Sequence, residues 1–132
     1  MSAGDTLSAW MVTDIASVLP DMEIGYAVRF LLDRRISGAP VVDSTGGMVG
    51  IITKKDCFRA ALNAAYYKQW GGTVERYMVR DVETLDADLD IVSAAQAFAR
   101  TPYRLFPVMR DGDLVGLLSR SDLLRAFLAQ HG

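Results

Sequence analysis

When the chain is slid along itself until Met11 falls on Met78, MVTDIASVLPDMEI (11–24) lies over MVRDVETLDADLDI (78–91). Asp14 then coincides with Asp81, Asp21 with Asp88, Ala27 with Ala94, and Pro40-Val41 with Pro107-Val108. Dropping one residue in the turn DSTGGM relative to RDGDL restores the register, after which Gly50 pairs with Gly116, Asp56 with Asp122 and Arg59 with Arg125. A repeat that covers nearly the whole chain restricts the fold to two copies of one supersecondary unit. Each copy is about 50 to 60 residues, a size at which an isolated core is marginal, so the two are expected to pack on each other.

Within each copy the same elements are legible. Ile24, Ala27, Val28, Leu31, Leu32 and Ile36 fall at helical spacing, and Ile91, Ala94, Ala95, Phe98 and Ala99 repeat the stripe until Pro102. APVVD (39–43) and MVGIIT (48–53) flank a Gly-rich turn at Thr45–Gly47, which predicts a hairpin, and FPVM with LVGLLS around residues 111–113 predicts its twin. A second helix follows in each copy, with Phe58, Ala61, Leu62 and Ala65 matched by Leu124, Phe127 and Leu128. Short extended lead-ins are expected near Ser17 and Thr84. The fold class is therefore α+β (or α/β): two pseudo-symmetric repeats, each a small sheet plus two helices, packed through their sheets. The boundaries are an N-terminal segment 1–10, repeat one 11–62, a linker helix and loop 63–77 closed by Gly71 and Gly72, and repeat two 78–130.

The most similar stretch between the copies is a heptad, GIITKKD (50–56) and GLLSRSD (116–122). Thr53-x-x-Asp56 and Ser119-x-x-Asp122 fit a capping box, a hydroxyl at the N-cap and an acid at N3, and one such box alone is a structural feature. Here the box follows a strand directly, so a helix N-terminus with its dipole opens at the end of a sheet, where anions bind. The glycine before it lets another group come close to the strand. A carboxylate beside a phosphate site suits a ligand that also offers hydroxyls, as a ribose does. A nucleotide meets all three conditions.

These residues resemble a known family. The apolar-Pro strand openings (Ala39-Pro40, Phe106-Pro107) and the Gly-h-h-Thr/Ser-x-x-Asp heptads, two in register, are similar to a pair of CBS domains, the Bateman module, over about residues 11–130. The resemblance implies two repeats packed around a pseudo-twofold axis, leaving two clefts for adenosine-containing ligands, and modules that pair into a disc-shaped homodimer. It places Asp56 and Asp122 on ribose hydroxyls and Thr53 and Ser119 toward phosphate. The backbone at Ala39-Pro40 and Phe106-Pro107, with Ser17 and Thr84, borders the base, and Phe106 is a candidate ring neighbour. Lys54, Arg120 and Arg104 are candidates for phosphate charge. It also implies an energy-sensing regulator with no obligatory cofactor, whose ligand is AMP, ADP or ATP, with S-adenosylmethionine or NAD as further options. The regulated partner protein is not specified.

The remaining signals exclude rather than assign. Among 132 residues, 14 basic and 16 acidic side chains leave a formal charge of -2, which disfavours a general nucleic-acid footprint. Although 51% of residues are hydrophobic, no apolar run approaches the roughly 18 to 20 residues of a bilayer span, and the first residues lack a secretory pattern. A cytoplasmic protein without membrane association is expected. TGGMVG (45–50) leads into a strand rather than a helix, and so lacks the context of a dinucleotide fingerprint. His131 and Cys57 are the sole histidine and cysteine, so soft ligands cannot form a metal cluster and a His-based triad would have to recruit His131, next to the last residue; the chain is read as not an enzyme. Trp10, Tyr66, Tyr67, Trp70 and Tyr77 lie outside the repeated cores and serve either packing or a dimer or partner surface. The rival to a nucleotide sensor is a ligand-free dimerisation or scaffold module in which both boxes act only as caps.

Overall fold

The structure, a computed structural model, describes residues 5–132. Residues 1–4 of the N-terminal segment lie outside the described residues. The chain forms two compact units, residues 16–82 and residues 1–15 with 83–132. The units are therefore offset from the sequence periods: Met11–Ile15 opens the first repeat in sequence but belongs to the unit built by the second.

In the unit 16–82, helix α1 (Ile24–Arg34) is followed by strands β1 (Gly38–Val42) and β2 (Met48–Thr53), helix α2 (Lys54–Tyr67) and a single turn, α3 (Val74–Tyr77). β1 and β2 are antiparallel, with Ala39 opposite Ile52 and Val41 opposite Gly50, and the register shifts between Val41 and Val42. Val18 bridges the free edge of β1 in parallel, and Val79 bridges the free edge of β2. α1 turns Ile24, Ala27 and Leu31 inward against Val41, Ile52 and Ala60. It stops at Arg35, whose φ of 56° is left-handed, while the Ile36 N–H reaches back to Leu31 O. This Schellman closure explains why the apolar stripe runs to Ile36 although the helix does not: the residue after the cap packs back on the last turn. Leu32, read as part of the inward stripe, is exposed.

The unit 1–15 with 83–132 repeats the plan. β3 (Leu85–Asp86) runs parallel to β4 (Leu105–Arg110), β5 (Asp113–Ser119) is antiparallel to β4, and Val12 bridges β5 at Leu117. α4 (Ile91–Ala99) and α5 (Arg120–His131) cover the sheet, and Leu7, from a short turn at Leu7–Ala9, completes the core of Phe98, Phe106, Val108 and Leu118. The hairpin closes through Asp111 and Gly112, both at positive φ, the two-residue turn that Asp-Gly favours. The first hairpin instead uses a longer loop in which Asp43 Oδ1 accepts from the N–H groups of Thr45 and Gly47. With the Thr45 hydroxyl also donating, these bonds hold the Asp43 carboxyl below its usual pKa.

Two sequence expectations need correction. α2 ends at Tyr67, where Lys68 takes the left-handed conformation, and not at Gly71-Gly72. Gly72, at φ 92°, instead presents its carbonyl to the Ile24 N–H at the start of α1. The second helices bury the face that was read only in part: Phe127 packs against its core, but the principal inward residues are others. Cys57, Ala60, Leu123 and Ala126 point inward, whereas Phe58, Leu62, Leu124 and Leu128 are between 64% and 71% exposed. Both helices are apolar on two sides, so periodicity found an apolar stripe without identifying the core.

Candidate functional site

Each heptad occupies the same place in its unit. Thr53 ends β2 and is the N-cap of α2; Ser119 ends β5 and is the N-cap of α5. Both capping boxes are closed. Asp56 Oδ2 accepts from Thr53 N–H (3.0 Å) and from Thr53 Oγ1–H (2.9 Å), while Asp56 N–H donates to Thr53 Oγ1 (3.3 Å). In the second copy Asp122 Oδ2 accepts from Ser119 N–H (2.8 Å), and Asp122 N–H donates to Ser119 Oγ (3.2 Å).

Asp56 and Asp122 are the two buried polar or charged residues among those described. Burying a carboxylate is costly unless it is paired and hydrogen-bonded. The boxes supply part of the compensation, and an arginine one turn on supplies the rest: Arg59 Nη2 donates to Asp56 Oδ1 (3.4 Å), and Arg125 Nη2 donates to Asp122 Oδ1. No buried side-chain polar atom among the described residues lacks a partner. Each carboxylate oxygen can accept two hydrogen bonds, so in both copies Oδ1 retains an acceptor position. Sequence reasoning paired Arg59 with Arg125 in register but gave them no role. The signal was present as Asp-x-x-Arg, a spacing that puts acid and base on one helix face.

The other sequence-derived residues gather around each heptad in different ways. Ser17 precedes Val18, whose N–H donates to Pro40 O (3.1 Å), and Ala39 lies opposite Ile52 beside Thr53, so Ser17, Ala39, Pro40, Thr53 and Asp56 share one end of one sheet. Thr84 precedes Leu85, which pairs with Val108, while Phe106 lies opposite Leu118 beside Ser119. The Phe106 ring, a candidate neighbour of a ligand base, is instead fully buried, edge-on to Phe98 (4.7 Å) and to Tyr103 (5.6 Å). Tyr103, which sequence reasoning passed over, is the exposed aromatic of that group. Lys54 and Arg104 are exposed. Arg120 is committed elsewhere: its guanidinium donates to Phe98 O (3.0 Å) and Thr101 O (3.3 Å) at the end of α4 and lies over the Phe98 ring.

The heptad glycines have a role other than the one expected. A Cβ on Gly50 would stand 2.7 Å from Val79 O, and one on Gly116 would stand 2.5 Å from Met11 Sδ and 3.0 Å from Val12 O. The group that approaches these strands is the chain's own Met78-Val79 or Met11-Val12, not a ligand. The N-terminus of α2 is also partly occupied, since Lys54 N–H donates to Ser37 O. Trp10 packs against one core and Tyr77 is buried in the other, whereas Tyr66 and Tyr67 are exposed. A separate open groove of about 380 Å³ lies between the start of α1 and Trp70 and contains no heptad residue. Among the described residues no cluster of His, Cys, Asp or Glu could hold a metal, and no helix is long and apolar enough to cross a membrane.

Two repeats, each with a strand running into a capped helix over a buried aspartate, define a class, and comparison with known proteins identifies it. The chain belongs to the CBS domain family, whose model matches residues 6–63 and 74–129. An uncharacterized 17.7 kDa protein of Acidianus ambivalens is 31% identical over 120 residues, 90% of this chain and 71% of that protein. In two further curated relatives the chain spans 40% and 12% of their length. Among solved structures, the CBS-pair protein CBSX2 of Arabidopsis thaliana, in complex with AMP, superposes with a TM-score of 0.84 at 25% identity, covering 96% of this chain and 98% of that one. A CBS domain pair in complex with 5′-methylthioadenosine and S-adenosyl-L-methionine gives 0.79 at 26% identity, covering 95% and 97%.

Proposed function

We propose that this protein is a regulatory CBS-pair module of the cytoplasm that binds an adenosine-containing ligand of the AMP, ADP or ATP type at the heptads and passes occupancy to a partner protein. The observation that carries this reading is the pair of buried aspartates, each in the first turn of a helix that starts where a strand ends, with an acceptor position left on Oδ1. A simple helix cap does not need burial, since its carboxylate satisfies the backbone equally well in water. A ribose diol can donate two hydrogen bonds, and the open position on Oδ1 accepts one of them. Structural relatives solved with AMP, 5′-methylthioadenosine and S-adenosyl-L-methionine share the adenosine moiety.

In this reading Asp56 and Asp122 hold ribose, Thr53 and Ser119 face phosphate, and Lys54 and Arg104 add charge. Ser17 with Ala39-Pro40, and Thr84 with the main chain of Phe106-Pro107, border the base. The exposed stripes Phe58, Leu62 and Tyr66 on α2 and Leu124 and Leu128 on α5 support a homodimer, because large apolar side chains at i, i+4 and i+8 mark an association surface.

A thermal-shift screen with AMP, ADP, ATP, S-adenosylmethionine and NAD, repeated on Asp56→Ala and Asp122→Ala, tests the assignment. A ligand at 100 times its Kd stabilises by about 2.7 kcal/mol, and that gain should vanish in the variant whose site is used. The closed boxes favour a second reading, a ligand-free scaffold. On that reading no ligand shifts Tm, and each variant loses only about 0.5 to 2 kcal/mol of stability.

A further inference from the structure

Arg59 touches two things at once. Its Nη2 donates to Asp56 Oδ1 at 3.4 Å and to the Tyr77 carbonyl at 2.7 Å, and that nitrogen carries two hydrogens, one for each acceptor. Tyr77 is the last residue of α3, and directly after it Met78-Val79 lies over Gly50, where Val79 and Ile51 exchange N–H to O bonds of 2.9 Å in both directions. One guanidinium nitrogen thus joins the candidate ligand carboxylate to the segment that leads from this unit toward Glu83. The rest of the attachment is independent of Asp56: the Tyr77 hydroxyl accepts from Asn63 Nδ2 and donates to Gly71 O, and Met78 N–H donates to Val74 O.

We propose that Arg59 is a positioning residue that couples the state of the Asp56 carboxylate to the seating of Met78-Val79 on β2. This deepens the nucleotide reading and rests on it only for the identity of the ligand. A diol needs two acceptor positions and finds one open on Oδ1. The contact that yields is the longest one, from Arg59, because the Thr53 bonds to Oδ2 are shorter and close a capping box. Occupancy therefore releases Arg59 from Asp56, removes half of what orients its bond to Tyr77 O, and loosens the segment beyond it. A ligand that shifts an equilibrium in this way must interact differently with the seated and unseated segment, and competition for Oδ1 supplies that difference.

The test is amide hydrogen exchange on the full chain for wild type, Asp56→Asn, Arg59→Gln and the double variant, reading Val79 and Ile51. Val12 and Leu117, the equivalent bridge of the other unit, serve as internal controls. Without ligand, Arg59→Gln should speed exchange at Val79 and Ile51 roughly three- to tenfold, the worth of one hydrogen bond, and leave the controls unchanged. Asp56→Asn should do the same, and the double variant should match Arg59→Gln alone. Unchanged exchange in Arg59→Gln, or an Asp56→Asn effect that persists undiminished in the Arg59→Gln background, would overturn the proposal. Arg59 is exposed, so its variant decides the question even if Asp56→Asn does not fold. Saturating AMP should then raise exchange at Val79 in wild type and not in Arg59→Gln. Absence of binding by AMP, ADP, ATP, S-adenosylmethionine and NAD to wild type would sink the nucleotide reading while the ligand-free cycle still decides the Arg59 link.

Discussion

The two units answer the same structural questions with different chemistry. At the start of α1, Glu23 occupies the N-cap without a side-chain bond, and the Ile24 N–H is satisfied by the Gly72 carbonyl. At the equivalent start of α4, Asp90 caps the helix itself, its Oδ2 accepting from Ser93 N–H at 2.9 Å. The glycine seats differ as well. Over Gly50 the nearest atom is a backbone carbonyl, and over Gly116 it is the tip of a methionine. Position by position the repeats are alike, yet different groups cap their helices and cover their glycines. A duplicated fold conserves what must be satisfied and leaves open which group satisfies it.

The largest way to break the apparent equivalence is at the glycines. Gly50→Ala forces a Cβ against the Val79 carbonyl and should cost about 2 to 3 kcal/mol, whereas Gly116→Ala meets the flexible Met11 thioether and should cost about 1 kcal/mol. Urea unfolding of the two variants measures this, and equal losses would show the seats to be interchangeable. Next is Cys57, which stands where the other repeat has Leu123. Burial first, and then the Asp56 charge, push its thiol from an ordinary 9.0 up to about 11. Alkylation by iodoacetamide at pH 8 should be at least about 100-fold slower in the native protein than in urea, in line with the smaller thiolate fraction. Asp56→Asn should speed native labelling.

A smaller contrast lies at the helix starts. Asp90→Ala should lower Tm by a few degrees and Glu23→Ala should leave it nearly unchanged, because only Asp90 makes a side-chain cap. The Ser93 bonds hold the Asp90 carboxyl below its ordinary 3.8. In the unfolded chain it protonates first as pH falls, so the advantage of wild type over Asp90→Ala should be full above pH 3.8 and shrink below it. A difference that grows toward acid would contradict the assignment. This is the finest of the contrasts.

Much of this was legible in the chain. The repeat, the order of helices and strands, both hairpins and both capping boxes follow from periodicity and turn chemistry, which are local. What was hidden is what depends on partners distant in sequence. Nothing in GIITKKD announces that Met78-Val79 lies over Gly50, so the glycine was read as room for a ligand. Phe106 resembled a ring neighbour until the buried Phe98 accounted for it, and Arg120 resembled a phosphate ligand until the carbonyls at the end of α4 did the same. Of the inward faces of α2 and α5 only Phe127 was found, because they are lined partly by small residues, while most of the larger apolar ones face outward. The αL ends at Arg35 and Lys68 carry no glycine to mark them.

The offset between sequence periods and compact units also bears on how the chain is made. Residues 16–82 form a continuous stretch, so every contact within that unit is available once the stretch has been made. The other unit takes Leu7, Met11 and Val12 from the beginning and β5 from near the end, with the whole of residues 16–82 between them. Its first segment is synthesised early and seated late. Closing so long a loop costs little more in equilibrium stability than a short one, but contacts this distant form slowly. Leu7, which ends with no exposed surface, must therefore wait for partners such as Leu89, Phe98 and Leu118 until all of residues 16–82 have been made.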